Sequence, residues 1–321
     1  MEAGPPELAA GLLRSVTVTA TYGYDEAALL RVGAPPEPPG FAAFWSGSHA
    51  RARAVDPAPV VLGSGPGGVL DVEFTSLDGV RLGGWLVRPD GPVELALVVG
   101  HGYGGRDGPE LDLVPDGAAA LFTAFRGLPD RGLVPGIPAG AAEHVLHGIG
   151  SVETYVHGGC AADLWCAASA LLALLPAPPA RLAYLGGSFG GGIGALALPW
   201  DERFAAAVLH VPSFGNHDLR LTMRCEGSGE AVRRHVAAHP EAREVLRFFD
   251  AATAAARMTI PTLVAPALAD AVVPPPGQFA VHNALRGPAE LVVLGSGHAD
   301  GPAAEADHDR YVAAARAFLT R

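Results

Sequence analysis

The pentapeptide Gly186-Gly-Ser188-Phe-Gly190 restricts the fold of this chain more than any other feature of its sequence. It follows the short apolar run 182–185, which is typical of a strand, and it precedes glycines and apolar residues that can start a helix. A serine at a sharp strand-to-helix turn is held in a strained backbone conformation, and small neighbours let such a turn close. The pattern indicates an exposed, nucleophilic Ser188; the alternative is a glycine-rich structural turn.

The rest of the chain alternates short apolar runs with segments of helical periodicity. The runs predicted as strands are 72–76, 82–88, 95–99, 118–125, 182–185, 205–209, 262–265 and 290–294. Segments 153–175 and 303–319 are predicted as helices, and Asp78-Gly79 is a tight turn between the first two strands. Periodicity alone leaves 118–125 open between helix and strand. Strands that alternate with helices predict an α/β protein with a mostly parallel central sheet and helices on both faces.

Two loops late in the chain supply candidates for an acid and a base. Asp270 and His298 each follow a predicted strand. In the α/β-hydrolase fold a serine, an acid and a histidine occur in this order along the chain. We therefore predict a triad in which His298 takes the hydroxyl proton of Ser188 and Asp270 orients the imidazole. His282 and His308 fall within predicted helices, which makes them weaker candidates for the base.

The segment His101-Gly-Tyr103-Gly-Gly105 follows the buried run 95–99. In this architecture that loop contributes one backbone N–H to the oxyanion hole, and the residue after the nucleophile contributes the other. We assign these donors to the backbone of Tyr103 and Phe189. His101 is expected to be a structural hydrogen-bonding residue rather than a catalytic one.

Composition limits the partners of the chain. It has 321 residues and a net charge of -11, which disfavours nucleic acids and anionic membranes. No apolar stretch is expected to approach the length of a transmembrane helix, and the N-terminus lacks a signal-peptide pattern. Cys160, Cys166 and Cys225 have no CxxC spacing, which favours reduced thiols in a cytoplasm. We predict a cytoplasmic protein that acts on a small-molecule ester, with no metal and no other cofactor.

The chain is predicted to have two parts. Residues 1–68 form an N-terminal extension that packs on the core, with Phe41 and Phe44-Trp45 as anchors after the proline-rich stretch Ala34-Pro-Pro-Glu-Pro-Pro-Gly40. Residues 69–321 form the α/β-hydrolase catalytic domain.

A longer series of motifs runs in one order from Phe44-Trp45 to the C-terminus. Its members are His101-Gly-Tyr-Gly-Gly105, Phe125-Arg-Gly127, Gly186-Gly-Ser-Phe-Gly-Gly-Gly192, His210-Val-Pro212, Phe248-Phe-Asp250, Ala254-Ala-Ala-Arg257, Ile260-Pro261, Asp270-Ala-Val-Val-Pro-Pro275 and Gly297-His298. The series resembles the acetyl xylan esterase and cephalosporin-C deacetylase family, carbohydrate-esterase family seven. This resemblance implies metal-free removal of acetyl groups from sugars or short oligosaccharides. It also implies intracellular homo-oligomers, often hexamers, and a substrate pocket bordered by Tyr103, Phe214 and Val272.

The sequence departs from the family pattern at three positions. Leu128 replaces the glutamine of the family's Arg-Gly-Gln, Phe189 replaces the glutamine after the nucleophile, and Ala299 replaces the glutamate after the histidine. The segment 131–150, which helps to build subunit contacts in the family, is also shortened. These departures leave the triad intact but bear on substrate choice and on hexamer formation.

Three other functions compete with sugar deacetylation. A general short-chain carboxylesterase without sugar preference keeps the enzyme class, and the loss of polar residues near Ser188 and His298 favours it. An acyl-peptide hydrolase or aminopeptidase shares the order of the triad, but no propeller repeat precedes the domain. The third is a catalytically silent hydrolase fold that serves in binding or assembly.

Overall fold

The computed structural model describes residues 20–321, which form eleven strands and eleven α-helices. The strands are β1 (Val60–Ser64), β2 (Leu70–Thr75), β3 (Arg81–Val87), β4 (Leu95–Gly100), β5 (Ala119–Thr123), β6 (Arg181–Gly187), β7 (Phe204–His210), β8 (Thr262–Ala265), β9 (Ala267–Ala269), β10 (Ala289–Leu291) and β11 (Leu294–Ser296). The helices are α1 (Glu26–Leu29), α2 (Phe41–Arg53), α3 (Ala141–His144), α4 (Val156–Leu174), α5 (Phe189–Ala197), α6 (His217–Arg220), α7 (Ser228–Ala238), α8 (Ala242–Phe248), α9 (Ala251–Ala255), α10 (Pro275–Ala284) and α11 (Pro302–Leu319).

Nine of the strands form one sheet, in the order β1-β2-β3-β5-β4-β6-β7-β8-β10. The pairs from β1 to β5 in this order are antiparallel, and every pair from β5 to β10 is parallel. The chain passes from β4 to β5 on one side and then to β6 on the other, so the strand order reverses at β4. In open α/β sheets, ligands bind beyond the carboxyl ends of the strands at such a reversal.

The side chains of strand β4 show that the central sheet is buried on both faces. They alternate between two cores: Leu95, Leu97 and Val99 belong to one, and Ala96 and Val98 belong to the other. Helices α4 and α5 contribute to the core of Ala96, and α11 contributes to the opposite core. A strand buried on both faces needs apolar residues throughout, which is what the sequence provides. The predicted fold class is confirmed.

Most predicted elements are present, with one correction. The predicted strand 290–294 is wrong as a single element, because the chain leaves the main sheet after β10 and pairs β11 with β9 in a separate two-stranded sheet. The step between the two sheets places the loop that follows β11 beside the loop that follows β9. The run 118–125, left open by periodicity, contains strand β5.

The N-terminal region meets the core through α2, in which Phe41 and Trp45 are fully buried. The indole N–H of Trp45 donates to the carbonyl of Phe248 at 2.9 Å. Strand β1 pairs with β2, so the predicted boundary after residue 68 falls between two strands of one sheet. The division into extension and catalytic domain stays a prediction, and its residues 1–19 lie outside the described part of the chain.

Helix α4 contradicts the prediction that no apolar stretch of the chain approaches the length of a transmembrane helix. Its 19 residues are long and apolar enough to cross a membrane by composition alone. However, 72% of that stretch is buried inside the fold, where it packs against α2 and α5. A core helix that is apolar all round has this composition too.

Candidate active site

Ser188 lies at the turn between β6 and α5, with φ of 53° and ψ of -114°. A positive φ in this region of the backbone map is strained for a residue with a side chain. A Cβ at Gly190 would lie 2.9 Å from the carbonyl oxygen of His101, and one at Gly186 would lie 2.8 Å from the backbone of Gly190. The two glycines therefore let the turn close against the neighbouring strand, and the turn presents the serine at the carboxyl edge of the sheet.

The three predicted triad residues meet in one hydrogen-bonded line. Nε2 of His298 lies 2.9 Å from Oγ of Ser188, and Nδ1 of His298 lies 2.8 Å from Oδ2 of Asp270. Asp270 is 1% exposed, whereas the imidazole of His298 is about a quarter exposed. Since the carboxylate fixes the Nδ1–H tautomer, the bare Nε2 faces the hydroxyl.

Four donors hold the carboxylate of Asp270. Oδ1 accepts the backbone N–H groups of Val272 and Val273 at 2.9 and 3.0 Å, and Oδ2 accepts the amide of Gln278 at 2.9 Å as well as His298. Gln278 is completely buried, and it also binds the carbonyl of Val273 and the N–H of Ala267. Gln278 was not among the residues predicted from the sequence; its signal is an amide within the otherwise apolar stretch 275–281 of α10.

The backbone N–H groups of Tyr103 and Phe189 are the predicted oxyanion donors: Phe189 directly follows Ser188, and Tyr103 lines the same cavity. Neither donates to a protein acceptor within residues 20–321, and Phe189 is the first residue of α5, where helical N–H groups have no partner in the helix. The hydroxyl of Tyr103 lies 3.1 Å from Nε2 of the buried His157, so it points away from solvent. Burial raises the pKa of Tyr103 well above its ordinary value and lowers the pKa of His157.

Ser188 and His298 open into a cavity of about 500 Å³, a size common for small-molecule sites. Tyr103, Phe214 and Val272, the predicted substrate-pocket residues, all line it. The side chain of Phe189 does not: it is fully buried, with its ring centroid 4.3 Å from that of Tyr103 and 5.7 Å from that of Phe214. The rings of Tyr103 and Phe214, which pack against Phe189, therefore give the cavity an apolar wall.

The other histidines named from the sequence have different surroundings. Nδ1 of His101 donates to the carbonyl of Gly102, and its Nε2 accepts the N–H of Phe125. Burial lowers the pKa of His101 to about 4, so it is a neutral, structural residue at pH 7. His282 contacts Asn283 outside the cavity. His308 lines the cavity, but its hydrogen-bond partner is Asp112.

The positions that depart from the family pattern have two kinds of environment. Leu128 and Phe189 are completely buried in the same apolar core, so neither offers a polar group to the cavity. Ala299 is exposed beside His298. Within residues 20–321, no group of three or more histidine, cysteine, aspartate or glutamate side chains is arranged to hold a metal ion.

The sheet, the strained serine after β6 and the line of hydrogen bonds at the carboxyl edge define a protein of the α/β-hydrolase fold. The family model described as Acetyl xylan esterase (AXE1) matches residues 31–313. The chain therefore belongs to the acetyl xylan esterase family and is a carboxylic-ester hydrolase. This confirms the family resemblance of the sequence motifs.

Solved structures agree with this assignment. The chain is similar to an acetyl xylan esterase from Paenibacillus sp. R4, with a TM-score of 0.78 and 26% identity over 91% of this chain and 99% of that one. Acetyl xylan esterase 1 from Thermoanaerobacterium sp. JW/SL YS485 has a TM-score of 0.77 and 20% identity over the same shares. An acylaminoacyl peptidase from Pyrococcus horikoshii shares the fold at a TM-score of 0.62 and 17% identity, over 79% of this chain and 41% of that chain. No curated protein matches the sequence.

Proposed function

We propose that the protein removes acetyl and other short acyl groups from small-molecule esters through an acyl-enzyme formed on Ser188. The observation that carries the proposal is the unbroken line from Ser188 Oγ through His298 to the buried Asp270, with both contacts below 3.0 Å. Membership of the acetyl xylan esterase family supports acetyl esters as the substrates.

The reaction begins when Oγ of Ser188 attacks the ester carbonyl and its proton passes to Nε2 of His298. The new C–O bond gives a tetrahedral oxyanion, and the proton then moves from His298 to the leaving alcohol as the ester C–O bond breaks. A water molecule repeats the sequence on the acyl-enzyme, with His298 as base, and releases the carboxylic acid. Asp270, held in place by its four donors, orients the imidazole and stabilises the imidazolium that forms.

The oxyanion is stabilised by the backbone N–H groups of Tyr103 and Phe189. Both are free of protein acceptors in the described part of the chain, and the amide of Phe189 adds the partial positive charge of the α5 N-terminus. Because these donors belong to the backbone, a phenylalanine at position 189 supplies the same hydrogen bond as the glutamine of the family pattern. Loss of such a donor typically lowers turnover ~10²–10³-fold.

Two substrate classes fit this site. Family membership favours acetylated sugars, whereas the buried apolar side chains of Leu128 and Phe189 favour a short-chain carboxylesterase without sugar preference. We propose deacetylation of sugars or other small molecules as the primary function, since the family is that of acetyl xylan esterases and Tyr103, Phe214 and Val272 line the same cavity as Ser188.

The test compares p-nitrophenyl acetate, butyrate and octanoate with an acetylated xylo-oligosaccharide. We expect rates to fall with acyl length, and the ratio of xylo-oligosaccharide to p-nitrophenyl acetate turnover separates the two substrate classes. A fluorophosphonate probe should label the wild-type protein and Ser213→Ala, a control serine in the same cavity, but not Ser188→Ala. A wild-type protein that takes up no probe and cleaves no ester would be a silent hydrolase fold.

Partners, location and assembly are further proposals. We propose a cytoplasmic homo-oligomer, hexameric by family resemblance, with no nucleic-acid, membrane or cofactor partner. Light scattering after gel filtration tests the assembly, because a monomeric mass would contradict it. Cell fractionation tests the location.

A further inference from the structure

Three arginines within residues 20–321 are buried, and one of them has no counter-charge. Arg106 pairs with Glu110 at 3.1 Å, and Arg126 pairs with Asp163 at 2.7 Å. Arg220, only 6% exposed, makes no ion pair with any carboxylate of these residues. A buried cation without a partner is strongly unfavourable, so a fold that keeps one has a reason for it.

The contacts of Arg220 are weak. One guanidinium nitrogen donates to the carbonyl of Gly229 at 3.4 Å, another lies 3.9 Å from Sγ of Cys225, and Nε has no partner among the described residues. Most of the hydrogen-bonding capacity of the guanidinium is therefore unused. Since a guanidinium has five N–H donors in a planar fork, the unused ones match a planar anion such as a carboxylate.

Arg220 lines the same cavity as Ser188 and His298. The first turn of α7 reaches this wall as well, since Ser228 also lines the cavity. A Cβ at Gly229 would lie 1.3 Å from Nη2 of Arg220, so glycine is required there for the guanidinium to lie against the helix. The N-terminus of this 11-residue helix adds free N–H groups and partial positive charge beside the guanidinium.

Two buried carboxylates, Glu230 of α7 and Asp270, are already engaged, whereas Glu226 in the loop before α7 is exposed and makes no ion pair with Arg220. Glu230, in the first turn of α7, accepts hydrogen bonds from Arg233 and Arg234. On the catalytic side, Asp270 is bound by His298 and three other donors. Within residues 20–321 no carboxylate pairs with Arg220, so its positive charge is available to a molecule that enters the cavity.

We propose that Arg220 and the N-terminus of α7 form an anion subsite, and that the ester substrate of this protein carries a carboxylate. The proposal rests on the proposed esterase function, because it describes the substrate of the same cavity. The carboxylate can belong to the acyl part or to the alcohol part of the ester, and the two arms of the test distinguish them.

Each arm compares a carboxylate with its methyl ester, so the two substrates differ by one charge. For the acyl part these are mono-p-nitrophenyl succinate and its methyl ester, followed by p-nitrophenol release. For the alcohol part they are 2-acetoxypropanoate and its methyl ester, followed by acetate release. The measured quantity is the ratio of kcat/KM for the carboxylate to kcat/KM for the methyl ester, which cancels any general loss of activity.

We expect this ratio to exceed ~10 in one arm and to fall ~10–100-fold in Arg220→Met, as for the loss of a charge-assisted hydrogen bond. Arg220→Lys keeps the charge but not the fork, so its ratio should lie between the two. Arg224→Met, at an exposed arginine four residues further on, is the control and should leave the ratio unchanged. Equal ratios in wild type and Arg220→Met in both arms would overturn the proposal.

A second readout separates a structural role from a binding role. Arg126→Met breaks a buried ion pair and should lower the Tm, whereas Arg220→Met removes an unpaired charge and should keep or raise it. A fall in Tm as large as that of Arg126→Met would overturn the proposal, because Arg220 would then hold the fold together.

The subsite is also testable without catalysis. If the wild-type protein cleaves no ester at all, the esterase proposal fails by itself. Calorimetric titration of Ser188→Ala with monomethyl succinate, against dimethyl succinate, then decides about the subsite. The subsite is supported if Ser188→Ala binds the monoanion and the double variant Ser188→Ala/Arg220→Met does not. Equal binding of both compounds, or binding of neither, overturns the proposal.

Discussion

Substitution of Gly297 by alanine should disable the active site without replacing any residue of the triad. A Cβ at position 297 would lie 2.4 Å from Oδ2 of Asp270 and 3.1 Å from Cβ of Ala267. Ordinary van der Waals contact begins at 3.4 Å, so the carboxylate oxygen and the new methyl group must separate by about 1 Å. That oxygen is the one that binds both His298 and Gln278, at 2.8 and 2.9 Å.

The expected loss follows from this displacement. A shift of about 1 Å in an orienting group costs ~10²-fold in rate, and the upper limit is the ~10⁴-fold loss seen when the orienting carboxylate is neutralised. The overpacked loop should also lose about 1–3 kcal/mol of folding free energy. We therefore expect Gly297→Ala to fold, to melt at a lower temperature and to have a kcat at least ~10²-fold below that of the wild type.

The assay is the steady-state hydrolysis of p-nitrophenyl acetate, together with thermal unfolding of the same samples. Gly104→Ala is the matched control: it lies in the same cavity, but a Cβ there meets no atom within 4 Å. If Gly297→Ala hydrolyses the ester within a factor of two of the control, then the position of Oδ2 does not govern turnover and the reasoning is wrong.

Two other predictions concern stability. Gln278→Met leaves the N–H of Ala267 and the carbonyl of Val273 without their buried partner, which should cost about 2–5 kcal/mol in urea unfolding and also lower kcat; unchanged unfolding would contradict this account. Burial lowers the pKa of five histidines below the ordinary value. The pKa falls to about 4 for His101 and His210 and to about 3 for His217, and burial also lowers the pKa of His144 and His157. Their contribution to stability is present above about pH 6.5 and is lost as the pH falls toward 4, because the unfolded chain binds protons that the folded chain does not. The Tm should therefore drop steeply over this interval, and a flat profile would show that these imidazoles are protonated in the fold.

Local patterns in the sequence were sufficient to predict most of the fold. The strands of the parallel sheet are apolar throughout because both faces are covered, so runs such as 95–99 stand out. The division of 290–294 into β10 and β11 was not predictable in this way, since the two strands pair with different neighbours at that point. Periodicity carries no information about which neighbour a strand chooses.

The same limit applies to the site. The meeting of Ser188, Asp270 and His298 could be predicted in part because each follows a strand, but the pairing of β9 with β11 in a second sheet, which brings the last two together, could not. Gln278 lies in the middle of α10, and its contact with Asp270 depends on how that helix packs. Arg220 is one of many arginines in the sequence, and only its burial without a carboxylate distinguishes it.

The side chain at position 189 provides a test of how the site tolerates its departure from the family pattern. The ring of Phe189 packs among those of Tyr103 and Phe125, and the imidazoles of His144 and His157 lie edge-on at 5.9 and 5.7 Å. Phe189→Gln would bury an amide in this apolar cluster, whereas Phe189→Leu removes a similar volume without adding a polar group. Burial of an unpaired amide costs about 1–3 kcal/mol, so the glutamine variant should be less stable than the leucine variant by that amount in urea unfolding.

Both variants keep the backbone N–H of residue 189, so the folded fraction of each should retain the oxyanion donor. Each should hydrolyse p-nitrophenyl acetate at a rate within ~10-fold of wild type, because a missing donor lowers turnover by ~10²–10³-fold. Equal stability of the two variants would mean that the amide finds a partner. Nδ1 of His144 and of His157 would then be the acceptors to examine, because both are buried and have no hydrogen-bond partner within residues 20–321.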